Sequence, residues 1–245
     1  VNAQAILTGR ILSRSRVDLI FAVVAPLLGL IGLTFLLRDV IDTGEMSYAQ
    51  YVLPAVVVQA MLFGALTTTD RAAHEKSSGM GVRLRTLPIS QYSSLIARMN
   101  YCLIRGVLAI IASVAAAVVF GFRFSTGFGN AAAFFALALV LTLALSLGAD
   151  ATGTKAGRTE VASQLLMVPQ LLLVLLSTGV APLESFPTWL QPFVHYQPIS
   201  QITETLRGFT SGHVQTGNLL TSLAWCAGLL LVFGWLALRL QRRTQ

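Results

Sequence analysis

Six long apolar stretches divide the chain: Leu19–Leu37, Tyr51–Thr69, Leu103–Phe120, Ala131–Ala149, Val161–Gly179 and Leu219–Leu238. Arg105 is the only charged residue in any of them. At a rise of about 1.5 Å per residue, such runs cover roughly 27–30 Å, one hydrocarbon core. The pattern predicts six transmembrane helices. Arg105 falls in the first turn of the third run, where its long side chain can snorkel to the headgroups. The first run is too long for a signal-peptide core and no A-x-A site follows it, so it is expected to stay in the mature chain.

Composition agrees with the pattern. Of 245 residues, 55% are hydrophobic and 11% charged, and the mean hydropathy is +0.72. A soluble core of this length cannot hide so much apolar surface. Disorder, collagen, disulfide scaffolds and coiled coils are excluded on the same figures. The net charge of +7 would suggest nucleic acid in a soluble chain; here the positive-inside bias accounts for it, and nucleic acid is not an expected partner. With both termini cytoplasmic, fourteen of the seventeen Lys and Arg residues fall inside, and only Arg38, Arg123 and Arg207 outside. Cys102 and Cys226 lie in apolar surroundings without C-x-x-C spacing and read as buried thiols. The expected fold is all-α, a single polytopic domain over residues 1–245.

Three segments outside the spans carry a pattern of their own. In residues 1–18, Ile6, Leu7, Ile11 and Leu12 stand on one side of a helix and Arg10 and Arg14 on another, which fits an interfacial helix; the alternative is a solvated tail. Residues 70–102 form a long basic cytoplasmic loop. Residues 180–218 hold Pro182, Pro187, Pro192 and Pro198, yet remain apolar and aromatic. Two short helices at or dipping into the outer leaflet suit this segment, the first opened by Pro187, the second capped by Ser200 and closed by Gly208. Phe186, Trp189, Leu190 and Phe193 fall at helical spacing and predict one aromatic-apolar face, either an interfacial anchor or a border of an exit for cargo. Glu204 and Arg207, at i and i+3, are placed to pair. Small residues recur at i+4 in Ala109, Ser113, Ala117 and Gly121, and in Ala138, Thr142 and Ser146, as tight helix packing requires. Pro26 and Pro169 are expected to kink their spans.

Catalytic chemistry is missing from the sequence. His74-Glu75-Lys76-Ser77-Ser78 begins like a zinc-protease motif but has Ser where the second ligand belongs. No G-x-S-x-G elbow occurs, and Ser211-Gly212-His213 reads as a turn. Gly148-Ala-Asp-Ala-Thr-Gly153-Thr-Lys155 approaches a P-loop, but its lysine comes one residue late and no strand precedes it. No catalytic or metal-ligating residue and no cofactor of its own is expected. Asp18, Asp70, Asp150 and Glu160 sit at the ends of the apolar runs, so an ion-coupled carrier, the alternative function, lacks buried charge. A membrane-bound enzyme lacks catalytic groups.

The two large connecting segments resemble the permeases of type-2 ABC exporters. In the cytoplasmic stretch Asp70–Ser90, the residues Asp70, Glu75, Gly79, Arg83, Leu84 and Pro88 match that family's coupling-helix pattern. The external stretches Ser177–Pro182, Phe186–Phe193, Gln197–Ser200 and Leu206–Gly208 match its last-loop signature, with daunorubicin-resistance permease subunits and their actinobacterial lipid-exporting relatives most similar. The short turn Gly121–Phe124 is shared, while Arg85 departs from the pattern. The resemblance implies a multi-pass protein of the cytoplasmic (inner) membrane, working with a separate ABC ATPase subunit that binds ATP and Mg. Glu75, Gly79, Arg83, Leu84 and Pro88 would form the coupling contact. Phe186, Trp189, Leu190, Phe193, Glu204 and Arg207 would border the external exit. A second permease, the same or a similar chain, and a lipid or amphipathic drug cargo complete the expectation.

Overall fold

The computed structural model describes residues 2–37, 48–78, 92–122, 127–156, 159–179 and 182–243, which are helical with short connections and no strand. Helix α1 (Asn2–Arg14) turns at Ser15 into α2 (Arg16–Leu37). Then follow α3 (Tyr48–Ser77), α4 (Ser93–Val119), α5 (Phe128–Ala156) and α6 (Thr159–Leu175). After a 3₁₀ turn at Leu183–Ser185 come the short α7 (Gln191–Tyr196) and α8 (Pro198–Ser211), and then α9 (Thr216–Arg243). Helices α2, α3, α4, α5 and α9 are long and apolar enough to cross a membrane, and α6 is a shorter apolar helix. The chain is an all-α polytopic membrane protein.

Helix α3 is the hub, packing against α2, α4, α5, α6 and α8. Its buried Leu53, Val57 and Met61 meet Leu30 of α2, Ile110 of α4, Phe134 of α5 and Ile202 and Leu206 of α8 in one core. In lipid the association of such helices depends on close backbone approach, which small residues permit. Ala109, Ser113 and Ala117 on α4 and Ala138, Thr142 and Ser146 on α5 are all buried, so both small-residue stripes serve packing within the chain. The P-loop lookalike also resolves into packing. Gly148 and Gly153 lie inside α5; a Cβ on Gly148 would come within 2.7 Å of the Phe233 ring, and one on Gly153 would run into the Thr69 carbonyl of α3.

Helices overrun the apolar runs at one end of the bundle. The second run ends at Thr69, yet α3 continues to Ser77; the third begins at Leu103, yet α4 begins at Ser93. Backbone hydrogen bonding carries the helix past the point where apolar side chains stop. Arg105 is therefore in the fourth turn of α4, not the first. At the opposite end α6 stops at Leu175, four residues before the apolar run does. Ser177 turns back onto the Val174 carbonyl at 2.8 Å, and Gln197 caps the Leu176 carbonyl.

The segment after α6 holds two short helices, of which the second packs into the protein. Helix α8 is buried along Ile199, Ser200, Gln201, Ile202, Thr203, Thr205, Leu206 and Phe209, wedged against α3, α5 and α9. Its boundaries differ from expectation. Gln197 precedes it, Pro198 takes the first helical position, and Ser200 accepts the Thr178 backbone N–H at 3.1 Å instead of capping its own helix. Gly208 lies within the helix, close against His213 and Val214; Gly212, at φ +82°, ends it in the left-handed conformation glycine adopts without strain.

Candidate functional site

Two polar clusters stand at opposite ends of the bundle. The first is at the end where α1 and α2 meet, where α3 and α5 finish and where α4 begins; we call it the basic end. Arg71 and Glu75 lie four residues apart on α3, one above the other on one face. Arg98, Tyr101 and Arg105 do the same on α4 at i, i+3 and i+7. The two faces run antiparallel in register: Thr68 Oγ1 is 3.2 Å from Cys102 Sγ, the Arg71 guanidinium lies 4.2 Å from the Tyr101 ring centroid, and Glu75 pairs with Arg98.

Each face reaches to a further helix. Asp18 of α2 accepts from Tyr101 Oη at 2.5 Å, from Arg105 Nε at 3.2 Å and from Arg71 Nη2 at 3.4 Å, while Arg71 Nη1 donates to Ser15 Oγ at 2.6 Å. Arg98 donates from Nε to Asp150 of α5 at 2.6 Å, and from Nη1 to Glu75 and, at 3.0 Å, to Ser94. The Arg98 and Asp150 side chains are 6% and 1% exposed, so neither charge has water to fall back on. One group of charges, Asp18 with Arg71 and Arg105, carries +1; the other, Arg98 with Glu75 and Asp150, carries −1. Together they are neutral. Desolvated charges persist only when paired and hydrogen-bonded in this way.

These contacts correct two expectations. Arg105 does not snorkel to the headgroups: it crosses toward α2, and its Nη1 stands 2.5 Å from where a Cβ on Gly64 would be, so glycine there leaves its path open. Asp18 does stand in the first turn of α2, but Asp150 is buried within α5 against Arg98, so the expected absence of buried charge is overturned and both aspartates are acceptors of the network. Of the residues expected to form the coupling contact, Glu75 sits in the last turns of α3 and is engaged internally by Arg98. Gly79, Arg83, Leu84 and Pro88 lie outside the described residues.

The second cluster surrounds α8. Arg207 and Glu204 do not pair; each is held by a different neighbour. The Arg207 guanidinium stacks 4.0 Å from the Tyr51 ring centroid and donates to the Tyr51 and Thr178 carbonyls, both at 3.4 Å. Desolvation pulls its pKa below the ordinary arginine value, opposed by Tyr51 and Glu204. Glu204 accepts from Asn218 of α9 at 3.0 Å. The expected aromatic face is split. Pro187 does not open α7 as expected: its carbonyl accepts Leu190 N at 2.8 Å and Gln191 N at 3.2 Å in a preceding turn, and α7 starts after Leu190 with Pro192 in its first positions. Trp189 and Phe193 face out at 78% and 50% exposure, whereas Phe186 and Leu190 are half-buried. Trp225 ties α9 to this segment through Nε1–H to the Tyr196 carbonyl at 3.1 Å.

The described residues form a multi-helix membrane bundle with an ionic clamp at one end and a short helix pair at the other. No cluster of metal-binding side chains occurs among the described residues. Residues 38–239 match the family described as ABC-2 family transporter protein, and the chain belongs to that family. It is 29% identical over 239 residues to the "Probable doxorubicin resistance ABC transporter permease protein DrrC" of Mycobacterium tuberculosis, covering 94% of this chain and 85% of that one. It is also 29% identical over 227 residues to the daunorubicin resistance ABC transporter permease protein DrrB1 of Streptomyces coeruleorubidus, covering 92% and 80%.

Proposed function

We propose that this chain is the membrane-spanning permease subunit of an ATP-driven exporter that moves a lipid or an amphipathic, drug-like molecule. In this reading it resides in the cytoplasmic membrane with the basic end and both termini inside. A separate ABC ATPase subunit binds ATP and Mg and grips the segment around Glu75, Gly79, Arg83, Leu84 and Pro88. A second permease, a copy of this chain or a similar one, completes the pathway, and the re-entrant segment borders the exit.

The observation that carries this reading is the attachment of α3 at the basic end. The segment that would meet the ATPase leaves from Ser77, and two residues earlier Glu75 is bound through Arg98 to α4 and α5. One turn back, Arg71 joins α3 to α2 through Asp18. A push on the segment therefore moves four helices as one body, the rigid-body displacement alternating access needs. The cargo class follows from the relatives' drug-resistance names.

Arg83→Glu tests it, because Arg83 belongs to the expected coupling pattern. The variant should insert and fold as the parent does, yet lose most of the stimulation that cargo gives to the ATPase activity of the copurified complex. Full stimulation in the variant, or purification with no ATPase bound to the parent, would sink the reading.

A further inference from the structure

Glu204 and Arg207 share a water-facing cavity of about 200 Å³ between α8 and α9, at the end opposite the ionic clamp. Its wall is completed by Ser211, His213, Gln215 and Asn218. Opposite charges one helical turn apart ordinarily close on each other. Here they cannot. Arg207 is drawn toward α3 by the Tyr51 ring and two carbonyls, and Glu204 toward α9 by Asn218. Each keeps unused capacity: Arg207 Nη1 and Glu204 Oε1 have no partner among the described residues. The carbonyls that hold Arg207 give it no ion pair, and their distances of 3.4 Å are long for hydrogen bonds.

We propose that this cavity binds a zwitterionic group, with its phosphate or carboxylate on Arg207 and its ammonium on Glu204. A simple anion meets Glu204 and a simple cation meets Arg207, so each suffers repulsion that a molecule carrying both signs avoids. Guanidinium is the side chain best shaped to receive phosphate or carboxylate oxygens. The volume lies below the roughly 300–1,000 Å³ of sites for whole drug-sized ligands, so the cavity holds a headgroup and leaves any acyl chains outside. The same chemistry is offered by the headgroup of a zwitterionic lipid and by a free phospho-amine. The site is a property of this chain alone and stands or falls without the ATPase.

The test uses the full chain purified in detergent, titrated by native mass spectrometry with phosphoethanolamine, inorganic phosphate and ethanolamine. Phosphoethanolamine should bind at least about tenfold more tightly than either fragment. Glu204→Gln keeps an acceptor for Asn218 and removes the charge; it should cost phosphoethanolamine about tenfold while leaving inorganic phosphate undiminished. Arg207→Lys keeps the charge that stacks on Tyr51 but not the planar fork, and should weaken both phosphoethanolamine and phosphate. Dihexanoylphosphatidylethanolamine is the arm that identifies the source: tighter binding than phosphoethanolamine assigns the site to lipid, equal binding to the free group. Absence of phosphoethanolamine binding, parity with phosphate alone, or indifference to both substitutions would overturn the proposal.

Discussion

Arg98 and Arg207 are both arginines withdrawn from water in a membrane bundle, and they are treated in opposite ways. Arg98 is locked between two carboxylates on two helices, Asp150 and Glu75, with Ser94 as a further acceptor. Arg207 has no carboxylate at ion-pair distance; an aromatic face and two carbonyls hold it in place. The first arrangement spends Nε and Nη1 on the protein's own helices. The second fixes the position of the charge without closing an ion pair on it. Neutralised charge serves as a fastener between helices, while charge held by neutral groups stays available to something else.

Three measurements break or sharpen that contrast. The largest effect expected is all-or-none and concerns which side each end faces. Cys102 and Cys226 are buried, so the parent gives little background with an impermeant thiol reagent. In intact cells Ser211→Cys should label and Ser78→Cys should not; the reverse pattern would invert the proposed orientation. Next comes Arg98→Ala, which strands Asp150 without its only hydrogen-bond donor among the described residues. Removing one partner of a buried ion pair costs about 3–5 kcal/mol, so detergent-solubilised protein should unfold at clearly lower temperature, and a shift no larger than a surface substitution gives would show that the clamp bears no load. The smallest effect is expected for Arg207→Ala. It loses one cation–π contact and two long hydrogen bonds but leaves no carboxylate stranded, for a cost of about 1–2 kcal/mol. A loss equal to that of Arg98→Ala would erase the distinction between the two sites.

Much of the architecture was legible because lipid enforces a simple rule: a span must be continuously apolar and helical. Six runs gave six helices, and the aromatic, proline-rich segment before the last span did become a short helix pair. Boundaries were less legible, since hydropathy reports where lipid contact stops and not where the helix stops. That difference hid the ionic clamp. The spacings Arg71–Glu75 and Arg98–Arg105 are helical in the sequence itself, but a helix through them only becomes evident once α3 and α4 are known to overrun their apolar runs. Choice of partner was out of reach altogether, because it depends on the antiparallel register that sets Thr68 against Cys102 and Glu75 against Arg98. The Glu204–Arg207 expectation failed for the complementary reason. Local spacing favoured a pair worth a few tenths of a kcal/mol, and long-range neighbours, Tyr51 on α3 and Asn218 on α9, offered each charge a better alternative.

The early stop of α6 has a consequence for the lipid around it. Its seventeen residues extend about 26 Å at 1.5 Å per residue, against a hydrocarbon core of about 30 Å. The helix turns Leu165, Met167, Val168, Leu171, Leu172 and Leu175 outward, so acyl chains that reach this face absorb the shortfall. A bilayer meets such hydrophobic mismatch by thinning beside the short helix, at a cost of fractions of a kcal/mol for each ångström. Membrane thickness thus becomes a variable acting on this chain from outside: a thin host bilayer relaxes against α6, and a thick one pulls on the turn at Ser177 that joins it to the short helix pair.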